Sequence, residues 1–424
     1  MKSSKYNIFF DRNGKTYVFN TMTCALAEIN KEINLELDKA VNLKFNTKEK
    51  FYMKNAGFIV DDDIDELILL RYRHYRSKDS NFFGVVIAPT MMCNFNCHYC
   101  YENSNNHFIK DEVKEAIYKK IDDILSRGKL LDVSWFGGEP LLAKDVIKEM
   151  SEKISKLYKK HNIECMYNLV TNGYLLDASA ISELLSLGIN HAKITIDGPP
   201  EIHNKRRRLK GSSADTFSKI IENIKTAVRM GMKIRIRVNA DKTNAPCLNE
   251  LLQILAKEGL QDCFIDLARV RGYTKTETFN TLSAIEYGNL RIEFAKKLKG
   301  NGFKLYGDLC YPFRTFSMCG ATVKNNLIID PDGYLYRCTV EMGNIKNSYG
   351  NILNFSEKDK ESMNNLKYLT INPFEREECV NCKVLPLCMG GCAYYTLKNK
   401  NELDCSHWKY NLQDELSELF EIMQ

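Results

Sequence analysis

Residues 91–103 read MMCNFNCHYCYEN and carry Cys93, Cys97 and Cys100 in the spacing C-x3-C-x2-C. Thiolates are soft ligands that suit iron–sulfur clusters and zinc alike. A [4Fe–4S] cluster takes four thiolates and a structural zinc takes four ligands, yet this stretch supplies three. Structural zinc sites pair C-x2-4-C with a second, distant pair, so three cysteines this close together fit a cluster better. His98 lies between Cys97 and Cys100, and that constraint turns its ring away. The fourth position is then left for a molecule from outside the chain, and an open position separates a catalytic centre from a closed structural one.

Outward from this stretch, strand and helix patterns alternate. FFGVVIAPT, LLDVSWFGG, ECMYNLVTNG, HAKITIDG, KIRIRVNAD and CFIDLARV read as strands. DEVKEAIYKKIDDILSRG, AISELLSLG and FSKIIENIKTAVRMG read as helices that end at Gly, the residue that closes helices in the left-handed conformation. Repeated β–α alternation predicts a parallel sheet covered by helices, and six units make a partial barrel. The polar signatures GGEP, TNG, TIDGP and RVNAD, and the cysteine loop itself, follow the strands at their C-terminal ends. Parallel βα sheets gather active sites at that edge, so five strand ends point to one site.

The chain has 424 residues, 44% hydrophobic and 27% charged, with net charge +6. That mild basic bias gives no argument for nucleic acid, which calls for a clustered basic surface. No run approaches the ~18 apolar residues of a membrane span, and the N-terminus does not resemble a signal peptide. A cytoplasmic protein is expected. The 15 cysteines are the unusual feature, and in a reducing compartment grouped cysteines read as metal or catalytic sites. Cys24, Cys165, Cys247 and Cys263 stand alone and read as small buried apolar residues.

C-x3-C-x-aromatic-C, with Tyr99 as the aromatic, resembles the signature of the radical S-adenosylmethionine (radical SAM) enzymes. The resemblance implies that Cys93, Cys97 and Cys100 hold a catalytic [4Fe–4S] cluster. It further implies that SAM chelates the fourth iron and is cleaved to a 5′-deoxyadenosyl radical, which abstracts a hydrogen atom. GGEP (Gly137, Gly138, Glu139, Pro140) looks like the family motif after the second strand. Its glycines allow close backbone approach, and its carboxylate and carbonyls can hold the SAM ammonium. TIDGPPEIHNKRR (195–207) is similar to the family's S-x-D-G-P…H-D-x-x-R. On that match Thr195 stands where a Ser contacts SAM, and Arg207 where an Arg pairs with the SAM carboxylate, which suits a planar fork of donors. His203 matches, and Asn204 replaces the usual Asp. Arg206 and Arg208, in KRRRLK, read as a solvated basic loop.

Cys319, Cys338, Cys379, Cys382, Cys388, Cys392 and Cys405 are spaced C-x13-G-x4-C, then C-x2-C-x5-C-x3-C, then x12-C. Composition alone leaves a zinc ribbon open. The spacing resembles the SPASM domain, a C-terminal extension with two auxiliary [4Fe–4S] clusters, which brings the implied cofactors to three clusters and SAM. One auxiliary cluster would use Cys379, Cys382, Cys388 and Cys405. The other would use Cys319, Cys338 and Cys392, with Cys310 in GDLCYPF as candidate fourth ligand; its gap to Cys319 is longer than expected. Without Cys310 that cluster keeps an iron open to a substrate thiolate. The expected architecture is α/β: a partial (β/α)6 TIM-type barrel over 82–304, preceded by a small winged-helix-like α+β module and linker over 1–81. A Cys-rich SPASM domain over 305–424 follows.

The N-terminal YNIFFDRNGKTYVFN holds two apolar runs around Asn-Gly, a strong hairpin signal. A hairpin followed by helices resembles the element that peptide maturases use to hold a leader peptide, and a free strand edge can recruit an extended peptide. SPASM proteins mostly act on peptides and proteins. In the sulfatase-maturing type an Asp follows the second cysteine of that domain and acts as a base, whereas here Thr339 follows Cys338, with Glu341 nearby. The expectation is a peptide maturase that forms a thioether on a ribosomally synthesised precursor, served by an electron donor such as flavodoxin or ferredoxin. An anaerobic sulfatase-maturing enzyme is the runner-up. A non-catalytic multi-cluster electron carrier is the reading from another class, and it would have no need of GGEP or Arg207.

Overall fold

The computed structural model describes residues 1–423 except 31–32, 34–45, 80, 103–106, 165, 273–279 and 400–402. Near the N-terminus, Asn13 and Gly14 adopt φ of 50° and 75°. This mirror-image turn matches the twist of paired strands and joins β1 (Asn7–Arg12) to β2 (Lys15–Asn20). β3 (Ala25–Ile29) adds to β2. α1 (Thr47–Asn55) and α2 (Glu66–Ser77) follow, each capped by a side chain, Asn46 and Asp65, that accepts from first-turn amides. The sequence reads as a separate module, but the structure seats it on the C-terminal part of the chain. A three-stranded sheet has an apolar face that needs cover: Ile8, Phe10 and Phe19 pack with Val384, Leu387 and Trp408.

Six parallel strands follow in chain order: β4 (Phe82–Ile87), β5 (Leu130–Trp135), β6 (Met166–Thr171), β7 (His191–Thr195), β8 (Lys233–Ala240) and β9 (Phe264–Arg269). Between them run α3 (Asp111–Ser126), α4 (Lys144–Lys160), α5 (Ala178–Ser186), α6 (Thr216–Arg229) and α7 (Leu248–Lys257). Alternate strand residues such as Val85, Val133 and Ile236 bury against Ile117, Ile147 and Ile224 of the helices. Gly128, Gly188 and Gly231 close α3, α5 and α6 with φ of 68°, 81° and 90°, the conformation expected of a helix-ending glycine. The expected six-unit α/β barrel is present.

Beyond α8 (Ala284–Gly300) the rhythm stops. β10 (Asn326–Ile329) returns parallel to β4, and β11 (Tyr334–Tyr336) folds back on it through a turn at Asp332 and Gly333. With β12 (Gly350–Asn351) these strands extend the barrel sheet to nine. Asp332 pairs with Lys110 and His107, each at 2.9 Å, which pins the hairpin beside the segment after the cysteine loop. The C-terminal helix α9 (Trp408–Met423) lies against α8, with Lys296 bonded to Glu418 at 2.9 Å. Among the described residues no helix is long and apolar enough to cross a membrane. Of the lone cysteines, Cys263 is buried as expected, whereas Cys24 and Cys247 are only half-buried. Cys165 lies outside the described residues.

Candidate active site

The cysteine loop is built into the barrel mouth by a short strand pairing. Phe95–Cys97 runs antiparallel to Arg207–Leu209, with Cys97 directly opposite Arg207. Cys93 and Cys97 are half-buried and Cys100 is exposed. His98 is exposed and sets its ring edge-on to Tyr99 at 5.1 Å. The three thiols feel one another's charge. Burial, and after it the Glu139 carboxylate, pushes Cys93 up to about 12, and burial of the thiol, and after it Glu102, pushes Cys100 up to about 12. Burial raises Cys97 as well, against the pull of Arg207. Left to themselves these thiols stay protonated, and coordination to a metal would deprotonate them outright.

GGEP locks onto this loop from β5. A Cβ on Gly137 would stand 2.3 Å from the Thr90 carbonyl oxygen, and one on Gly138 would stand 2.2 Å from that of Met92. Only glycine lets these backbones meet. The Glu139 amide then donates to the Met92 carbonyl at 2.7 Å. Its fully buried carboxylate accepts from Leu141 N at 3.0 Å, Thr171 Oγ1 at 2.6 Å and Asn172 N at 2.7 Å. Glu139 therefore ties the GGEP and TNG strand ends together. Pro140 opens the buried turn that follows.

Tyr99 is the hub of the opposite wall. Its hydroxyl bonds to Asp197, accepts from Arg207 Nη1 at 2.7 Å and meets Asn239 Nδ2 at 3.3 Å. Asp197, fully buried, also accepts from the Asn239 amide at 3.0 Å. Burial works against the charge of Arg207, but Cys97, Tyr99 and Asp197 outweigh it and raise its pKa further. Burial, then Arg207, holds His203 well below the usual histidine range, so it is neutral. Thr195 ends β7 half-buried, in register with Arg237.

Two groups here escape a reading of the sequence. Arg206 is not a solvated loop residue: it is 4% exposed and bonds to Asp241 at 2.7 Å, to Thr243 at 2.8 Å and to the Asn239 carbonyl at 3.2 Å. Its guanidinium lies over the Tyr99 ring at 5.2 Å. Arg208 is exposed as expected. Tyr101 hydrogen-bonds Thr339, joining the cysteine loop to the residue after Cys338.

Residues 87–263 match the Radical SAM superfamily. The chain carries a radical SAM domain. A cysteine-type anaerobic sulfatase-maturating enzyme of Clostridium perfringens is 26% identical over 334 residues, spanning 73% of this chain and 88% of that protein. Native anSMEcpe with bound AdoMet shares the fold with a TM-score of 0.62 and 23% identity over 80% of this chain and 96% of that one. Streptococcus suis SuiB bound to precursor peptide SuiA shares it with a TM-score of 0.57 and 16% identity, over 94% and 97%. The radical SAM domain implies a [4Fe–4S] cluster and SAM, and the residues fit both. Three clustered thiols supply one ligand fewer than the irons of a cubane. Close by, the buried Nε of Arg207 has no hydrogen-bond partner among the described residues.

Eight cysteines lie beyond α8. Cys379, Cys382, Cys388 and Cys405 line one small pocket. Gly391, at φ 82°, makes this possible, since a Cβ there would stand 2.0 Å from the Asp404 carbonyl oxygen. Cys319, Cys338 and Cys392 feel one another's charge. Cys319 and Cys392 also line a cavity of about 430 Å³ that reaches the barrel edge at Arg237 and Asp266. Cys310 follows a short turn over Gly307–Leu309. Its neighbour Tyr311 reaches the N-terminal module, donating to the Cys24 carbonyl at 2.9 Å.

Proposed function

We propose that this chain is a radical SAM peptide maturase that joins a cysteine sulfur of a ribosomally synthesised precursor to a carbon, forming a thioether. Cys93, Cys97 and Cys100 would hold the catalytic cluster. Tyr99, the GGEP residues, Thr195 and Arg207 would hold SAM, with Arg207 presenting its free Nε to the SAM carboxylate. Glu139 already serves three donors, so backbone carbonyls share the ammonium. Bound there, cluster and SAM supply a 5′-deoxyadenosyl radical that takes a hydrogen atom from the peptide. Forming the thioether removes that hydrogen and a thiol proton and releases one electron.

Two auxiliary clusters belong to this reading. Cys379, Cys382, Cys388 and Cys405 would hold one completely. Cys319, Cys338 and Cys392 would hold the other, with Cys310 set apart and one iron facing the cavity, where a peptide thiolate fits. The outer edge of β3 pairs with no strand among the described residues, so a leader segment could add there. SuiB, whose fold spans 94% of this chain, is a protein with a bound precursor peptide. An acidic electron carrier such as flavodoxin or ferredoxin would supply the reductant.

Thr339 carries the choice of reaction. The Clostridium perfringens relative favours formylglycine formation as a second reading, but that reaction needs a base to take the proton. A Thr hydroxyl bonded to Tyr101 is no such base. The test is incubation of reconstituted enzyme with SAM, a reductant and the peptide encoded beside its gene. A product lighter by a pair of hydrogens and resistant to thiol alkylation is expected. Formation of 5′-deoxyadenosine with a peptide of unchanged mass would overturn the thioether, and an aldehyde on a sulfatase peptide would establish the second reading.

A further inference from the structure

The pocket lined by Cys379, Cys382, Cys388 and Cys405 has donors aimed at it that no cluster ligand set requires. Backbone amides of Gly390 and Ser406 bond to Cys388. Lys409, one turn beyond Cys405, brings Nζ to 3.7 Å from the Cys405 sulfur. The third donor comes from the far end of the chain. Tyr6 is 0% exposed and packs with Cys379, Leu385 and Met389. Its hydroxyl has no hydrogen-bond partner among the described residues, and the charges it feels are those of Glu66 and Asp65 first and then Cys382. A buried hydroxyl left unpaired costs about 1–3 kcal/mol, so its position calls for an acceptor.

The N-terminal module is fixed to this pocket at several points. Lys5 Nζ donates to the Val380 carbonyl at 2.7 Å and Thr21 Oγ1 to the Lys383 carbonyl at 2.5 Å, on either side of Cys382. Gln413 of α9 donates to the Phe9 carbonyl at 2.7 Å. The helix that carries Lys409 is thus bonded to the strand next to Tyr6.

We infer that Tyr6 and Lys409 are positioning residues for the cluster of this pocket, donating to its sulfur atoms and setting its reduction potential. The module expected to hold the peptide leader is thereby part of that cluster's surroundings. Hydrogen bonds and positive charge at sulfur favour the reduced, more negative cluster, so both residues raise the potential. The inference rests on the reading that the four cysteines hold a cluster.

The test is an EPR-monitored redox titration of reconstituted full-length enzyme and of its Tyr6→Phe, Lys409→Met and Lys409→Arg variants. Tyr6→Phe keeps the ring and its packing. Tyr6→Phe and Lys409→Met should each lower the ratio of reduced to oxidised cluster at the wild-type midpoint, by about threefold or more, and the double variant further. Lys409→Arg should stay near wild type. In deuterated buffer, an exchangeable-proton coupling to the cluster should vanish in Tyr6→Phe. Unchanged midpoints at full iron content would overturn the inference. Failure of the underlying reading looks different: a Cys379→Ala, Cys382→Ala variant would then keep the wild-type iron count.

Discussion

Cys97 and Arg207 face each other across a two-stranded pairing, so one backbone register fixes both the proposed cluster ligand and the proposed SAM-carboxylate partner. Arg207 donates to Tyr99 at 2.7 Å with Nη1 and leaves Nε free for the ligand. Arg207→Lys keeps the charge and loses the fork. Loss of one charged hydrogen bond, about 1.5–3 kcal/mol, should weaken SAM binding by roughly tenfold or more at full iron content. Calorimetric titration of the reconstituted enzyme reads this directly, and wild-type affinity would remove Arg207 from the SAM site.

Arg206 sits between two buried carboxylates, 2.7 Å from Asp241 and 3.6 Å from Asp197. Arg206→Met strands both, and breaking a buried pair costs about 3–5 kcal/mol. Arg208→Ala, two positions on and exposed, should change stability by less than about 0.5 kcal/mol. Denaturant unfolding of the two variants, side by side, checks the contrast.

These neighbours show what a sequence can and cannot disclose. KRRRLK looks like one charged run, yet a strand turns successive residues to opposite faces, burying Arg207 and exposing Arg208. The cysteine groups are legible because their ligands are local, at fixed short spacings. The Tyr99 hub is not, since Asp197 and Asn239 lie 98 and 140 residues away. Nor is the seat of the N-terminal module, whose bond from Lys5 to Val380 spans 375 residues. Polar strand ends, by contrast, locate the barrel mouth, because parallel topology brings every such end to one edge.

Gly138→Ala tests how the mouth is assembled. The new Cβ would lie 2.2 Å from the Met92 carbonyl oxygen and 2.5 Å from that of Met91, both backbone atoms, so the strand into Cys93 must shift. The variant should lose about four irons and SAM cleavage together, while the auxiliary irons stay. Iron assay with EPR decides it.

Glu415, on α9, gives the chain a pH-dependent element. Burial, only partly opposed by Arg291 at 3.3 Å, moves its carboxyl up to about 7. Asp308 and His407 also face it. Between about pH 4.5 and 7 the folded state keeps a proton that the unfolded chain has lost, so stability falls as pH rises through that window. The loss amounts to roughly 3 kcal/mol at about 1.4 kcal/mol per unit. Glu415→Gln should remove most of that fall in unfolding free energy, measured by denaturant unfolding between about pH 4.5 and 7. An unchanged slope would place the proton elsewhere.

Cys310 would decide whether the proposed cluster of Cys319, Cys338 and Cys392 is closed or open. Cys319, Cys338 and Cys392 share one electrostatic neighbourhood, while the segment of Cys310 is anchored through Tyr311 to the N-terminal module. Tyr311 also sets its ring against Phe19 at 6.0 Å, a second tie of that segment to the module. Cys310→Ala should therefore keep the wild-type iron count and cluster spectrum, whereas Cys319→Ala should lose about four irons. A small thiol added to the Cys310→Ala enzyme should perturb the spectrum as it does in wild type, because the open iron faces the cavity in both. Iron loss on Cys310→Ala would make Cys310 the fourth ligand, close the cluster and leave the peptide thiolate without a metal to bind.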